Sequence, residues 1–462
     1  MKKGKQKGNQ KVKVIVLSII MALALVPWLF ILTRNLSDNE TPEPTPDVNV
    51  DESLPILQVP ASSPTPEPER TPIPIPEPPP RRTPEPEPEP TPEPVERVIE
   101  IASEHTEVAD AINTVSKSFN CAAVSMVVYD GDKKEFYTYE YGFADIAARR
   151  SVNAETKFRV ASLSKLVTVI CAMILVDEQR LDIDLDISYY LGYDVRNPYY
   201  PDIPITTRML MQHTSSIFDS EDFRYSRQRT SVRPAKALLD AGTSYRQAEP
   251  GAEYEYSNFG YSLLAGLCEV IYGKKFDLLS REILFEPMGI DAAYVASRLE
   301  DKTNIAAIYN DRHSLSRSVQ SILNVRDTED LGRDVHLTHG SLVISILDYA
   351  RILAMLGNDG VYEGVKLLSA ESIDEINYTN VRGEEFEMGL GTRRSALEFM
   401  PRGEAFWHTG SAYGTFTQYV YSVNNTNTGV VVITTGAKTD RLPSGMVRVC
   451  TELAEAVWQL VK

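Results

Sequence analysis

The segment Ser162-Leu163-Ser164-Lys165 places a hydroxyl and an amine where they could act together. A serine that opens a helix has its hydroxyl near backbone donors and the positive end of the helix dipole, which favour developing negative charge. Lys165 follows one turn later on the same face, and a desolvated lysine of lowered pKa can serve as the base for such a serine. The simpler interpretation is a helix cap followed by a solvated lysine, because S-x-x-K also arises by chance.

Two later segments contain residues that could complete such a site. In Tyr256-Ser257-Asn258 the tyrosine could shuttle a proton, and the asparagine amide could donate and accept at once. In His408-Thr409-Gly410-Ser411 a strand edge with a glycine would admit a substrate backbone, and the following N–H could contribute to an oxyanion hole. Each segment has an ordinary alternative interpretation: the first could be a loop before a helix, and the second a sheet edge that happens to contain a histidine. The three segments in this order, about 90 and 150 residues apart, form a specific pattern.

Together the three segments resemble the signature of the serine β-lactamase and penicillin-binding protein family, in its class C and D,D-carboxypeptidase-like branch. The family's motifs are S-x-x-K, Y-x-N and [KH]-T-G, and the similarity extends from about residue 105 to 460. The resemblance implies Ser162 as the acylated nucleophile, Lys165 as its base and Tyr256 as the proton donor to the leaving group. It implies no metal and no cofactor. Substrate contacts would come from Asn258, His408, Thr409 and Gly410. The backbone N–H groups of Ser162 and Ser411 would form the oxyanion hole.

Two positions depart from the family pattern. Ser216 replaces the glycine of H-T-S-G, which affects a local turn, and His408 replaces lysine in the third motif. Histidine, with a pKa near 6.5, is mostly neutral at pH 7, so we interpret His408 as positioning substrate rather than as catalytic. In the family, H-T-G occurs in D,D-peptidases, D-aminopeptidases and esterase-like members, whereas dedicated β-lactamases favour K-T-G.

The resemblance therefore implies a serine hydrolase acting through an acyl-enzyme on a small peptide, ester or β-lactam. We rank a D,D-peptidase acting on cell-envelope peptides such as peptidoglycan first, an esterase, D-amino-acid esterase or aminopeptidase next, and a β-lactamase last. A catalytically silent module that binds wall peptide or β-lactam is the non-enzymatic alternative. The joint presence of Ser162, Lys165, Tyr256 and Asn258 argues against such a module, because binding alone does not require all four.

The elements that must position these residues can be read from periodicity. Strand patterns occur near both ends of the domain and helical patterns between them, so the sequence predicts an α/β (α+β) fold: an antiparallel sheet flanked by helices, with a helical lobe inserted at about 180–330. The resemblance places the cleft between sheet and lobe. The predicted elements are a helix at 105–118, a hairpin of strands 122–129 and 135–141, a helix from Ser162 to about Gln179, a helix at 259–272, strands 416–422 and 429–435 joined by a turn at Asn424, Asn425 and Asn427, and a last helix from Pro443.

Residues 1–36 have a net charge of +7, and 20 uncharged residues, Val14 to Thr33, separate Lys13 from Arg34. This run would span roughly 30 Å as a helix, the thickness of a bilayer core. Lysines before it place the N terminus in the cytoplasm and the rest of the chain outside, in a single-pass topology. A cleaved signal peptide is the alternative, although the apolar run is long and no A-x-A-like site follows.

Residues 37–97 hold 20 of the 29 prolines and a net charge of −10, a composition that excludes helix and sheet and opposes collapse. We interpret them as a disordered spacer reaching on the order of 190 Å when extended, either through a cell wall or as a simple tether. The remaining domain, 98–462, has a charge of −14, which disfavours nucleic acid as a partner. The sequence indicates no oligomeric state.

The remaining histidines and the cysteines have ordinary interpretations. His213, His313, His336 and His339 lack metal-type spacing, and we interpret them as structural. Cys171 and Cys268 lie on apolar helical stretches typical of a core, although an extracellular location would permit disulfides. The sequence leaves the pairing of all four cysteines open: Cys121, Cys171, Cys268 and Cys450.

Overall fold

The structure is a computed structural model that describes residues 96–461, apart from 227–233, 329, 334–335, 401–403 and 423–426. The predicted membrane span at residues 14–33 and nearly all of the predicted spacer lie outside the described residues, as do Asn424 and Asn425 of the predicted turn. Within the part that is described, no helix combines the length and the apolar character needed to cross a bilayer.

The strands, in chain order, are β1 (Arg97–Glu100), β2 (Ala123–Asp130), β3 (Glu135–Asp145), β4 (Arg150–Ser151), β5 (Lys157–Arg159), β6 (Ile308–Asp311), β7 (Ser314–Arg317), β8 (Val343–Ser345), β9 (Val361–Tyr362), β10 (Val365–Lys366), β11 (Val381–Arg382), β12 (Glu387–Met388), β13 (Arg393–Ala396), β14 (Glu404–Ala412), β15 (Thr415–Ser422) and β16 (Thr428–Thr435).

The α-helices are α1 (Ile101–Glu104), α2 (Thr106–Ser118), α3 (Ser164–Asp177), α4 (Ile187–Leu191), α5 (Thr207–Met211), α6 (Glu221–Ser226), α7 (Ala235–Asp240), α8 (Asn258–Tyr272), α9 (Phe276–Ser280), α10 (Val319–Leu323), α11 (Ile346–Leu356), α12 (Ala370–Asn377) and α13 (Arg448–Val457). Short 3₁₀ or π turns occupy Ala161–Leu163, Arg281–Phe285, Ala296–Arg298 and Trp458–Val461.

The main sheet combines strands from both ends of the domain, in the order β1-β3-β2-β16-β15-β14-β13-β12-β11. The β2–β3 hairpin pairs in register from Ala123 opposite Gly142 to Asp130 opposite Glu135, and β16 pairs with β2 along its whole length. The predicted antiparallel sheet completed by the two chain ends is therefore confirmed. Strand β1 departs from the antiparallel arrangement, because it joins the edge of the sheet parallel to β3.

The two faces of the sheet bury separate cores because side chains alternate along each strand. On one face Val124, Met126 and Trp407 pack with helices α2 and α13. On the other, Val127 and Tyr129 belong to a larger core that includes α3, α8 and α11. The helical lobe is thus joined to the sheet by apolar packing along the face where the candidate site lies.

Most predicted elements are present, with shifts at their ends. The helix predicted from Ser162 begins as a 3₁₀ turn and becomes α-helical at Ser164. The last helix begins at Arg448 rather than Pro443, since the preceding residues form a turn closed by a bridge between Arg441 and Val447. The interval 180–330 is mostly helix and loop, but it also contains the unpredicted hairpin β6–β7.

The four cysteines are free and fully buried in this structure. Cys171 on α3 and Cys268 on α8 lie in the same core, where burial raises the pKa of both thiols. These two cysteines are therefore core residues, as their apolar neighbours in the sequence indicate.

Candidate active site

The turn that carries Ser162 lies between strand β5 and helix α3 and is held by neighbours from several elements. Ser164 Oγ donates to the Ala161 carbonyl at 2.6 Å, and Tyr349 Oη donates to the Leu163 carbonyl at 2.8 Å. Ala161 has a φ of 51°, a left-handed conformation that is costly for a residue with a Cβ. This strained residue sets the entry of the chain into the turn, and the Ser162 side chain reaches the surface of a cleft.

Lys165 is fully buried, and its Nζ has three oxygen neighbours. The Asn258 Oδ1 and the His339 carbonyl each lie at 2.8 Å, and Ser162 Oγ lies at 3.5 Å. Both carbonyl-type oxygens can only accept, so they take two N–H groups of the amine. In a neutral amine the lone pair is then left on the side of Ser162, where a base for the serine is needed.

The environment of Lys165 favours this neutral amine. Burial lowers the pKa of Lys165 from its usual value to about 7, and the Arg393 guanidinium also lowers it, whereas the Asp219 carboxylate opposes the change. Near neutral pH a large fraction of the protein molecules therefore carries an amine able to accept the proton of Ser162.

Tyr256 occupies the other side of the serine. Its hydroxyl donates to Ser162 Oγ at 2.9 Å, and burial raises its pKa to about 12, so it stays protonated and can donate. The Lys165 Nζ lies 4.9 Å from the centre of its ring. His213 packs against the same ring at 4.5 Å, and its Nδ1 accepts the Ser257 N–H at 3.0 Å. The lysine is thus suited to take a proton and the tyrosine to give one.

Asn258 begins helix α8, and Ser257 caps this helix by accepting the Gly260 N–H at 2.9 Å. This cap fixes the backbone at the point where the side chain of Asn258 enters the cleft. Its Nδ2 donates to Asp219 Oδ2 at 2.7 Å, while its Oδ1 faces Lys165. The amide thus bridges a carboxylate and the amine.

Strand β14 approaches the Ser162 turn with a free edge. Its pairing with β13 ends at Trp407, so in the described register His408–Ala412 pairs with β15 alone. A Cβ on Gly410 would lie 2.2 Å from Thr417 Oγ1 and 3.0 Å from the Ser162 backbone nitrogen. Only glycine permits this approach, which brings Ser411 and Ser162 to the same cleft, as an oxyanion hole built from their N–H groups requires.

His408 is buried and neutral. Burial, together with the charges of Arg393 and Lys165, holds its pKa well below the usual range. Its Nδ1 lies 2.8 Å from the Thr409 carbonyl, which can only accept, so Nδ1 carries the proton. Nε2 has no protein partner among the described residues and is left as an acceptor at the cleft. This state agrees with a positioning role for His408.

The cleft has a volume of about 410 Å³ and is rich in cationic groups. Arg393 donates to Tyr254 Oη at 3.1 Å, and Arg441 donates to Thr409 Oγ1 at 3.1 Å. Neither arginine has a carboxylate within ion-pair distance in the described part of the chain. The lining residues are Arg159, Ala161, Ser162, Tyr256, Asn258, His339, Gly340, Arg393, His408, Thr409, Ser411, Ala412, Tyr413 and Arg441.

The structure thus brings together every residue of the three motifs, from sequence positions far apart. Lys165 lies beneath the cleft and Gly410 beside the Ser162 turn, and the others line the cavity. Among the contributors that were not predicted are Asp219, Arg393, Arg441 and His339, whose carbonyl accepts from Lys165. Asp219 follows the His213–Ser216 motif closely, which was a usable signal, whereas the two arginines had none. Fold and site have the features of a serine hydrolase in which a buried amine could accept a proton and a phenol could donate one.

Comparison with known proteins identifies the family. A family model described as Beta-lactamase matches residues 108–448. The D-alanyl-D-alanine-carboxypeptidase/endopeptidase AmpH of Escherichia coli K12 is 28% identical over 177 residues, 38% of this chain and 46% of that protein. Penicillin-binding protein 4* of Bacillus subtilis is 28% identical over 167 residues, 35% of this chain and 36% of that protein. The chain thus spans less than half the length of these curated relatives.

A solved structure supports the same fold. The β-lactamase/D-alanine carboxypeptidase from Pseudomonas syringae superposes with a TM-score of 0.60 at 18% identity, covering 77% of this chain and 99% of that one. The chain belongs to the Beta-lactamase family. Members of this family are serine hydrolases that work through an acyl-enzyme and bind peptide or β-lactam substrates.

We expect acylation to depend on the protonation of Lys165. The amine must be neutral to act as the base, and burial places its pKa at about 7. The rate of fluorophosphonate labelling should therefore rise with pH to a plateau, with an acid limb near pH 7. Lys165→Arg replaces the base by a permanent cation and should lower the plateau by about 10²-fold or more. A profile that is flat from pH 5 to pH 9 would contradict Lys165 as the base.

We expect Gly410→Ala to block acylation without unfolding the sheet. The new Cβ would lie 2.9 Å from the Val160 carbonyl oxygen and 3.0 Å from the Ser162 nitrogen, both backbone atoms, so β14 must move away from the Ser162 turn and the oxyanion hole is disrupted. The labelling rate should fall on the order of 10²-fold. Gly429→Ala is a matched control, since its Cβ would meet the Tyr129 ring in β2 of the same sheet, outside the cleft. Equal loss of labelling in both variants would show that general sheet damage, and not the approach at Gly410, causes the effect.

Proposed function

We propose that the domain is a D,D-carboxypeptidase-like hydrolase of D-amino-acid-containing cell-envelope peptides that end in a free carboxylate. The observation that carries this proposal is the pair Arg393 and Arg441, two guanidiniums without an acidic partner among the described residues, on the cleft beside Thr409. Uncompensated cations at a cleft favour an anionic ligand, and a guanidinium matches the geometry of a carboxylate.

The chemistry of other candidate substrates fits this cleft less well. A neutral ester or a peptide amide offers no charge to the two arginines. A β-lactam does carry a carboxylate, so the arginines alone do not distinguish it from a peptide. His408 in the third motif favours a peptidase, since in the family H-T-G occurs among D,D-peptidases and K-T-G among dedicated β-lactamases. The relative AmpH is named as a D-alanyl-D-alanine carboxypeptidase, which agrees with this ranking.

The proposed reaction uses the groups in two steps. Lys165 takes the proton of Ser162 as Oγ attacks the peptide carbonyl, and the Ser162 and Ser411 N–H groups stabilise the oxyanion. Tyr256 gives its proton to the leaving amine and recovers one from the Lys165 ammonium beside its ring. Water then attacks the ester carbonyl and gives one proton to Lys165, which passes it to Ser162 Oγ as the C–O bond breaks and the acid is released. A silent binding module would require no such paired base and acid.

The substrate class is tested with a D-Ala-D-Ala peptide and the same peptide amidated at its C terminus. We expect Arg393→Gln or Arg441→Gln to lower kcat/KM for the free acid about 10- to 100-fold, because a charge-assisted hydrogen bond is lost. The amidated peptide should be a poor substrate of the wild type, and its kcat/KM should fall little further in either variant. Arg394→Gln is the control, since Arg394 is the next residue on β13 and pairs with the exposed Glu404 outside the cleft.

Three results would overturn the proposal. Acylation itself would be refuted if neither fluorophosphonate nor fluorescent penicillin labels Ser162 and the wild-type protein behaves in these assays like the Ser162→Ala variant. A neutral short-chain ester as the best substrate, insensitive to Arg393→Gln, would favour the esterase alternative. If a cephalosporin were the one compound turned over efficiently, β-lactamase would become the favoured activity.

We also propose that residues 1–36 anchor the protein in the cell membrane and that residues 37–97 hold the domain outside. The support is the basic cluster followed by the 20-residue uncharged run Val14–Thr33, and the proline- and glutamate-rich composition of the spacer. Outside the membrane such a domain would meet the peptides of the cell envelope.

We expect the full chain to stay with membranes after an alkaline carbonate wash, and a variant lacking residues 1–36 to be released. The mass of the mature chain separates an anchor from a signal peptide, because cleavage would remove the apolar run. Protease added to intact cells should degrade the domain if it lies outside. A full-length chain recovered in the soluble fraction would refute the anchor.

A further inference from the structure

Asp219 lies in the loop between α5 and α6 and contacts the beginning of helix α8 with both carboxylate oxygens. Oδ1 accepts the Phe259 N–H at 2.9 Å, and Oδ2 accepts Asn258 Nδ2 at 2.7 Å. The first contact satisfies a backbone donor at the helix N terminus, and the second holds the side chain of a motif residue. Asp219 itself is absent from the lining of the cleft, so it does not touch the place where substrate binds.

The second contact decides which way the Asn258 amide faces. A carboxylate can only accept, so the amide must present Nδ2 to Asp219 and therefore Oδ1 to Lys165. Oδ1 takes one N–H of the amine and the His339 carbonyl takes another, which leaves the lone pair of a neutral amine for Ser162. The opposite amide orientation would direct an N–H at Lys165 and occupy the same lone pair.

We propose that Asp219 is a positioning residue that fixes the amide of Asn258 and so keeps the basic lone pair of Lys165 directed at Ser162. Asp219 acts through Asn258 and is not itself catalytic. The role rests on acylation of Ser162 and is independent of the carboxylate-bearing substrate proposed above.

The charge of Asp219 gives this role a second consequence. The carboxylate stabilises the ammonium form of Lys165 and thereby raises its pKa, against the lowering by burial and by Arg393. Removing the charge should lower that pKa further. The titratable and charged groups that face Lys165 from the elements around it are Asp219, Tyr256, Tyr261, Arg393 and the two neutral imidazoles of His213 and His408.

The test compares Asp219→Asn and Asp219→Glu by the pH dependence of fluorophosphonate labelling of the full chain. Asn keeps the size and an acceptor for the Phe259 N–H, but it lets the Asn258 amide turn. We expect its plateau rate to fall about 10- to 100-fold, as for the loss of a hydrogen bond to a charged group, and its acid limb to move to lower pH. Glu keeps the charge and the acceptor-only chemistry, so its acid limb should stay near that of the wild type, with a smaller loss of rate.

Asp186→Asn is the matched control, because Asp186 also caps a helix of the same lobe, accepting the Ser188 N–H at 2.9 Å, away from the cleft. Its rate and acid limb should match the wild type. A lower plateau in Asp219→Asn with an unmoved acid limb would mean a merely structural role and refute the inference, as would unchanged labelling. Wild-type protein that is never labelled would instead refute acylation of Ser162, so the two failures are distinguishable.

Discussion

The burial of one amine is the constraint on which the site depends. Lys165 has no exposed surface, and a cation in that position would lose its hydration, so its pKa falls to about 7. Partial compensation comes from carbonyl oxygens of Asn258 and His339, which lie on different elements and meet only in the folded chain. The same oxygens that make burial tolerable also direct the lone pair at Ser162, so stability and chemistry are served by the same contacts.

The fold supplies these contacts because the sheet and the helical lobe share one core. Helices α3 and α8 pack together within it, which holds the Lys165-bearing and Asn258-bearing segments at a fixed separation. The free edge of β14 completes the third side, and it reaches the Ser162 turn only because residue 410 lacks a Cβ. The strain at Ala161 is tolerated because the surrounding packing determines the turn.

The sequence predicts the parts of this arrangement that are local. The β2–β3 hairpin, strands β15 and β16 and helix α8 follow from periodicity and turn residues, and the three motifs are recognisable because their residues lie within four positions of each other. Arg393 and Arg441 are different, because each belongs to the site only through contacts across the fold. Arg393 lies on a four-residue strand without a clear pattern, and β1 joins the sheet in parallel, a pairing set by tertiary packing.

Histidine at position 408 and arginine at position 393 are linked electrostatically. Arg393 lies on β13, pairs with Trp407 in the register and stacks over its ring, so its charge lies beside the position that lysine holds in the usual third motif. Arg393 and Lys165 both lower the pKa of His408, and a lysine there would add a third cation to the same buried region. That cation would lower the pKa of Lys165 further and raise the cost of burial. A neutral imidazole avoids this conflict and keeps the pKa of Lys165 near neutrality. In the function proposed above, Arg393 on the neighbouring strand would then supply a cation for the substrate carboxylate.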